Sequence, residues 1–516
     1  MVAAAASVVS GCTTIWRATG LADSRSPRGA AAGEPSPAAP SPIATTLPAS
    51  MARPPPPTRE LPVVSFPEVD RQRLDNGLSI VLGERRNAPL STATLAVEAG
   101  RNRNPSEARL VGHTALAGGA GRFTATQLAQ QLAAKGTTVE VEVGVDSVAW
   151  SITVAPEHLE FAIDALSSVA RQPRWVYAEF TRVRDQQMAR ARELAQHDGT
   201  WPAYRLLHRV LFPSPHPYAE YDGTVDELGN VTLGDCQRWH RAHVRPDNAS
   251  LVVTGDHDGQ QVAELASRYL GTWKAPDVEL GALPAPLPAN GNRELEMHVI
   301  DRDKAERAQV LVGWRVPGAG TADHSISREA IRLLCGPQGL FSPTGTEGIS
   351  HCTVTAYSGG LGLAVAGVST NSGDVPATLK RLIDAAHQLA TEPVSTAVWD
   401  GNVRDLLGSA PRRWESTRGL ARELTHLEIL AVPGDWPERE LKLWESTDAS
   451  RVREVAAHYL TPSLGVVAVT ADADRIVKKL AALGPVRVHA PSDLRTTKTV
   501  PGTPDIHRSG DPPAVR

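Results

Sequence analysis

The sequence has no apolar run approaching the roughly eighteen residues that a membrane-spanning helix needs. It also lacks a charge excess, with 53 lysines and arginines against 57 aspartates and glutamates and no long run of either sign. That balance argues against a nucleic-acid partner held by phosphate neutralisation. Cysteine is scarce: Cys12, Cys236, Cys335 and Cys352 are too few and too scattered for a disulfide-stapled scaffold, so buried structural thiols and packed cores are expected. No two of the 16 histidines stand four residues apart. Two helical metal ligands on one face need that spacing, so H-E-x-x-H and H-x-x-E-H are both excluded. A G-x-S-x-G elbow is absent as well, since "AYSGG" at 356–360 lacks its first glycine. "AGGAG" at 117–121 has no Lys-Ser/Thr after it and reads as turn glycines at a helix end.

What is present is a chain of 516 residues with 41% hydrophobic and 21% charged residues, ordinary globular values. The first 62 residues stand apart, with eleven prolines between Pro27 and Pro62, a composition that cannot bury a core. At their head, "MVAAAASVVSGCTT" reads as a short apolar signal over 1–12 and resembles a bacterial lipobox, with Cys12 as the lipidated residue. Residues 13–62 would then be a disordered Pro/Ala-rich tether. The location expected from this is the bacterial cell envelope, facing the periplasm, with the membrane reached only through the lipid anchor.

From about Leu74 the pattern is regular. "LSIVLGE" and "STATLAVEAG" alternate as half-buried strands, and a helix is expected over 107–117. A hairpin follows in "TTVEVEVGVDSVAWSITVAP", then a run of helices. Strands segregated from helices in this way indicate an α+β fold. An internal repeat is the strongest feature. "HVRPDNASLVVTGDHDGQQVAELASRYLG" from His243 has a partner in "HYLTPSLGVVAVTADADRIVKKLAALG" from His458. Each runs helix end, proline turn, apolar strand, acidic turn and amphipathic helix, so two similar domains are expected in tandem. Their bounds are placed at 63–275 and 295–487, with a Pro/Gly-rich linker at 276–294 and a disordered tail at 488–516. Cys236, His240 and His243 share a helical face and could hold zinc, although packing at a helix end is the favoured reading.

The repeat pair, the opening "RLDNGLSIVLGE" (73–84), "YDGTVDELGNVTLGDCQRWHRAHVRP" (221–246) and "HVRPDNASLVVTGD" (243–256) together resemble the insulinase/pitrilysin family of zinc metallopeptidases. The likeness implies two homologous domains forming a clamp around an unfolded peptide. It also implies H-x-x-E-H on the first helix, which here is "SEARLVGHTALAGGAG". Setting Leu110 and Val111 on the family's Leu-Ala places Gly112 and Leu116 at the histidines and Ala115 at the glutamate. His113 then falls one residue out of register. The family's third ligand, a glutamate from a later helix, falls near Glu193, with Ala191 the ungapped equivalent. The arginine and tyrosine that active relatives carry in the second domain are replaced in "LFSPTGTEGISHCTVTAYSGG", where His351 stands at the tyrosine's place as a candidate peptide-binding residue. The expectation is therefore a catalytically inactive, peptide-binding subunit without a cofactor, pairing as a heterodimer with a zinc-bearing paralogue. Two alternatives stand beside it: an active zinc metalloendopeptidase with a divergent site built on His113 and Glu193, and a solitary envelope scaffold.

Overall fold

The computed structural model describes residues 64–501 apart from 198, 282–286, 288–294, 337–338, 346, 349–350, 493 and 495. Cys12, the tether and most of the linker lie outside the described residues. The first unit opens with strands β1 (Val69–Arg73), β2 (Ser79–Glu84) and β3 (Ser91–Val97), which lead into helix α1 (Pro105–Ala117). A short ribbon, β4 (Gly119–Ala120) with β5 (Phe123–Thr124), and α2 (Ala125–Ala134) precede the hairpin β6 (Glu140–Val143) and β7 (Val148–Val154). Helices α3 (Leu159–Arg171), α4 (Tyr177–His197), α5 (Thr200–Leu211), α6 (Val225–Asn230) and α7 (Leu233–His243) follow, and β8 (Ala249–Gly255) with α8 (Gly259–Leu270) completes the unit.

The second unit repeats this plan. Strands β9 (Glu296–Asp301) and β10 (Arg307–Pro317), helix α9 (Ala322–Cys335), and strands β11 (His351–Tyr357) and β12 (Leu361–Asn371) come first. Five helices follow: α10 (Val375–Thr391), α11 (Thr396–Ser409), α12 (Thr417–Ile429), α13 (Trp436–Ser446) and α14 (Ala449–Tyr459). The unit ends in β13 (Val466–Ala471), α15 (Ala473–Leu480), β14 (Val486–His489) and β15 (Thr496–Val500).

The sheet orders are β1-β2-β8-β3-β7-β6 and β11-β12-β10-β13-β9-β14-β15. Within them β2-β8-β3-β7-β6 matches β9-β13-β10-β12-β11, each with a parallel first pair and antiparallel pairs after it. The sequence repeat falls on β8 and β13, whose near-continuous apolar runs are buried on both faces, as strands inside a covered sheet require.

Helices cross between the units. α5 of the first unit lies on β10 and β13 of the second sheet. There Leu206, Leu207 and Leu211 join Leu311, Val365 and Val466 in one apolar cluster. In return α12 of the second unit lies on β8, β3 and β2 of the first sheet. The approach is close: a Cβ at Gly83 would stand 2.9 Å from Leu424 Cδ1. Thr417 of α12 also accepts from Thr254 Oγ1 through its carbonyl at 2.7 Å, and its hydroxyl meets that of Thr92 at 3.1 Å. Burying each such leucine contributes about 1.5–3 kcal/mol. One face of each sheet is thus covered by a helix of the other unit.

Two expectations are corrected. The second unit does not stop at 487, because Val486 and Val488 are buried in β14, which pairs in parallel with β9, and β15 pairs with β14. Polar composition hid this edge, since β15 is almost wholly exposed. Cys335 and Cys352 are not isolated thiols but a disulfide, with Cα atoms 5.8 Å apart, joining the end of α9 to β11. Cys236 is the free, buried thiol.

Candidate functional site

Asn104 caps α1, its side chain accepting from the backbone N–H groups of Ser106 and Glu107, and Pro105 takes the first position, where an N–H would have no helical partner. Ala108, Val111 and Ala115 are fully buried. Gly112 lies so near the β6–β7 hairpin that a Cβ there would stand 2.7 Å from Val143 Cγ2. Its carbonyl accepts from the Trp150 indole at 2.9 Å. The face bearing Gly112 and Ala115 therefore belongs to the core, and Leu116 packs at the edge of the same core.

Arg109 and His113 stand one turn apart, on a different face of α1. α4 packs against α1, and its Arg190 faces His113. Burial, then the guanidiniums of Arg109 and Arg190, push the His113 imidazole down to about 4. Arg109 Nη2 donates to both oxygens of buried Asp222, at 2.7 and 2.6 Å. Asp222 also accepts from the Trp201 indole at 3.3 Å and from the Gly223 N–H at 2.9 Å. Gly223 sits close to α1, where a Cβ would displace the Ser106 hydroxyl. The Arg205 guanidinium lies over the Trp201 ring, 4.9 Å from its centroid, on a residue only 2% exposed.

This geometry corrects the register. The residues that share the α4-facing side at ligand spacing are Arg109 and His113, so R-L-V-G-H stands where H-x-x-E-H would, with Gly112 at the glutamate. The positions Gly112, Ala115 and Leu116 are not the site. Glu193 is exposed, and Ala191 is a core residue. The α4 side chain that faces His113 is Arg190. A spacing search restricted to histidine pairs missed this, whereas allowing one lost ligand would have found Arg109 four residues before His113. The residues do not fit zinc. The His113 imidazole stands between two cationic guanidiniums, and Gly112 cannot serve as a base. Among the described residues no group of three or more His, Cys, Asp or Glu is arranged to hold a metal ion.

The other candidates are engaged separately. Burial pushes the Cys236 thiol up to about 12, His240 packs edge-on against Trp175, and His243 Nδ1 lies 2.9 Å from the Trp239 carbonyl. His351 turns toward α5, its Nε2 2.9 Å from the Tyr204 hydroxyl. It belongs to a seam between the units, built from Tyr204, His208, Tyr218, Tyr221 and Tyr357. At its centre buried Asp146 accepts from Asn102 at 2.9 Å, Tyr218 at 2.8 Å, and the Ser358 hydroxyl and N–H at 2.9 and 3.0 Å. Burial raises its carboxyl above the usual range despite these donors. "AYSGG" thus supplies a structural serine.

Comparison with known proteins agrees with this picture. Residues 230–404 match the family model described as the peptidase M16 inactive domain. The zinc protease PqqE of Helicobacter pylori is 28% identical over 136 residues, a match spanning 25% of this chain and 30% of that protein. The crystal structure of a peptidase M16 inactive domain from Pseudomonas fluorescens superposes with a TM-score of 0.69 at 17% identity, covering 78% of this chain and 98% of that one. The periplasmic protease PqqL of Escherichia coli gives a TM-score of 0.63 at 13% identity, covering 81% of this chain but 48% of PqqL. The insulinase (M16) resemblance stands, and over residues 230–404 the sequence matches the model described as the inactive domain of that peptidase family.

Proposed function

We propose that this chain is a non-catalytic, peptide-binding subunit that pairs with a zinc-bearing relative. The observation that carries the reading is the face of α1 turned to α4, where the His113 imidazole lies between the guanidiniums of Arg109 and Arg190 and the residue before it is Gly112. Zinc chemistry needs a metal to acidify water and a base to take its proton, and a guanidinium and a glycine supply neither. The need for a partner is supported by two further facts. α5 and α12 cover the sheet faces between the two units, so a chamber for an unfolded peptide has to be closed by a second polypeptide. PqqL, of similar fold, is about twice the length matched here, with 48% of it covered.

An oxidising envelope compartment is supported by the Cys335–Cys352 bond and by the lipobox-like Cys12, since disulfides persist where thiols are not kept reduced. The test is native mass spectrometry of the tagged chain purified from its own cells, with zinc measured in the same sample. A complex of two different M16 chains, with zinc carried by the partner, is expected. A monomer that itself binds stoichiometric zinc and cleaves peptides in a chelator-sensitive way would overturn the proposal.

A further inference from the structure

The β4–β5 ribbon folds back over α3. In its turn Gly121 takes a φ of +53°, and a Cβ there would stand 2.9 Å from Ser168 Oγ. Its N–H donates to the Gln172 carbonyl at 2.9 Å, and its own carbonyl accepts from Arg174 Nε and Nη2 at 3.1 and 2.9 Å. The turn so held brings Arg122 beside the ends of α3 and α8, where Arg122, Arg171 and Arg268 line a cleft of about 260 Å³ with Ser167, Ser168 and Gln172. Asp164 is the one carboxylate in that lining, and it accepts from Arg122 at 2.7 Å. From outside, Glu160 accepts from Arg268 and from the Tyr269 hydroxyl, both at 2.9 Å. Counting Arg174, four guanidiniums thus stand against two carboxylates. Arg171 is the one that no carboxylate meets among the described residues. Its partners are neutral, the Tyr269 carbonyl and the Thr272 hydroxyl, the latter at 3.1 Å, and these use only part of the fork's N–H donors. Burial alone pulls its guanidinium below the ordinary value.

We propose that this cleft between α3, α8 and the β4–β5 turn is a binding site for a phosphate group, carried by a soluble phosphate compound or by a phospholipid headgroup. A phosphate monoester bears about two negative charges at neutral pH, which the excess of guanidiniums answers, and its several oxygens suit donors that arrive from more than one element. Arg171 supplies the fixed fork. Arg122 and Arg268 are 72% and 61% exposed, and exposed ion pairs such as theirs hold a side chain only weakly, so both are able to turn onto a ligand. Ser168 and Gln172, whose side chains have no hydrogen bond among the described residues, add neutral donors. The carbonyl end of α8 would repel an anion, but the Tyr269 carbonyl is already taken by Ser167 Oγ at 3.0 Å and by Arg171. The site shares no residue with the α1–α4 face, and it stands or falls apart from the peptide-binding reading.

The test uses the purified full chain. Inorganic phosphate is titrated against it by 31P line broadening, with acetate at equal ionic strength as the competitor. Flotation compares vesicles of phosphatidylcholine alone with vesicles to which phosphatidic acid has been added. Phosphate is expected to broaden and to resist displacement by acetate, and Arg171→Gln should weaken its binding about tenfold, the loss of one charge-assisted contact. A preference for the phosphatidic acid vesicles that disappears in Arg171→Gln assigns the phosphate to a headgroup; phosphate binding without that preference assigns it to a soluble compound. Should Arg171→Gln fail to fold by circular dichroism, Arg122→Gln combined with Arg268→Gln makes the same comparison and leaves the contacts of Arg171 with α8 in place. Arg439→Gln, an exposed arginine of α13 paired with Asp435, controls for loss of surface charge and should bind as the native chain does. The proposal is overturned if acetate displaces phosphate freely and neither vesicle is preferred, if a folded Arg171→Gln binds phosphate undiminished, or if Arg439→Gln loses as much.

Discussion

α1 and α9 occupy equivalent places, each following the strand beside the central repeat strand of its own sheet, yet they treat charge in opposite ways. On α9, Glu329 is 1% exposed and flanked by Arg328 and Arg332, each at 3.5 Å. From α13, Glu440 accepts from Ser325, from Arg328 at 2.9 Å and from Arg413 at 3.0 Å. Burial alone would raise the Glu440 carboxyl, but Arg328 and Arg413 hold it down at about 2. Every guanidinium there has a carboxylate to meet. On α1, Arg109 shares one carboxylate with two other donors, and Arg190 faces an imidazole. A buried cluster in which each charge meets its opposite is what packing two helices requires.

The sharpest way to break the contrast is Glu440→Gln. It leaves Arg328 and Arg413 facing a neutral amide in a buried place, and a loss of about 3–5 kcal/mol is expected in urea unfolding. A loss below 1 kcal/mol would show that the α9 cluster is not a structural one. Next in size is the bond that only the second unit has. Changing both Cys335 and Cys352 to Ser frees a loop of sequence separation 17, and about 3 kcal/mol of stability should go with it. Equal denaturation midpoints with and without reductant would argue against that bond in solution. Gly112→His should cost about 1–3 kcal/mol through overpacking against Val143, while Leu116→His should cost less; the reverse order would restore the first register.

The smallest effect sharpens the comparison most. His113 on α1 and His324 on α9 are both pushed down to about 4, by burial first in each case, then by Arg109 and Arg190 for one and Arg328 for the other. Their folded values lie below the unfolded value of about 6.5, so both groups are neutral in the fold at pH 7. The stability they contribute is complete above about pH 6.5 and is lost as pH falls toward 4. In Arg190→Gln the His113 value should rise, with His324 unchanged, in a histidine NMR titration. Parallel movement of the two would mean that the arginine is not what sets His113 apart.

The sequence made the repeat, both sheets and α1 legible, because buried strands and amphipathic helices carry their period in the residues themselves. It did not show the crossing of α5 and α12. The pattern of Leu206, Leu207 and Leu211 says that a face is buried, and nothing local says against which sheet. The site was misread by one turn position for a related reason: Gly112 and His113 differ by about a hundred degrees on a helix, and only the hairpin under Gly112 decides which points inward. Likewise Glu193 has the right chemistry for a ligand and Arg190 the right direction. Direction is set by tertiary packing, so it could not be read from composition.

The crossing of α5 and α12 also has a temporal side. As the ribosome delivers the chain, the first sheet is complete at β8, but the helix that covers one of its faces is not made until residues 417–429 emerge. For the intervening stretch, apolar side chains such as Val81 and Val252, which pack with Leu420 and Leu424 in the finished protein, have no cover of their own. Contacts so distant along the chain slow the search for the native state and leave sticky surface open to aggregation. The first half is therefore expected to be aggregation-prone when made alone, and to lose that exposed surface once the second half is present.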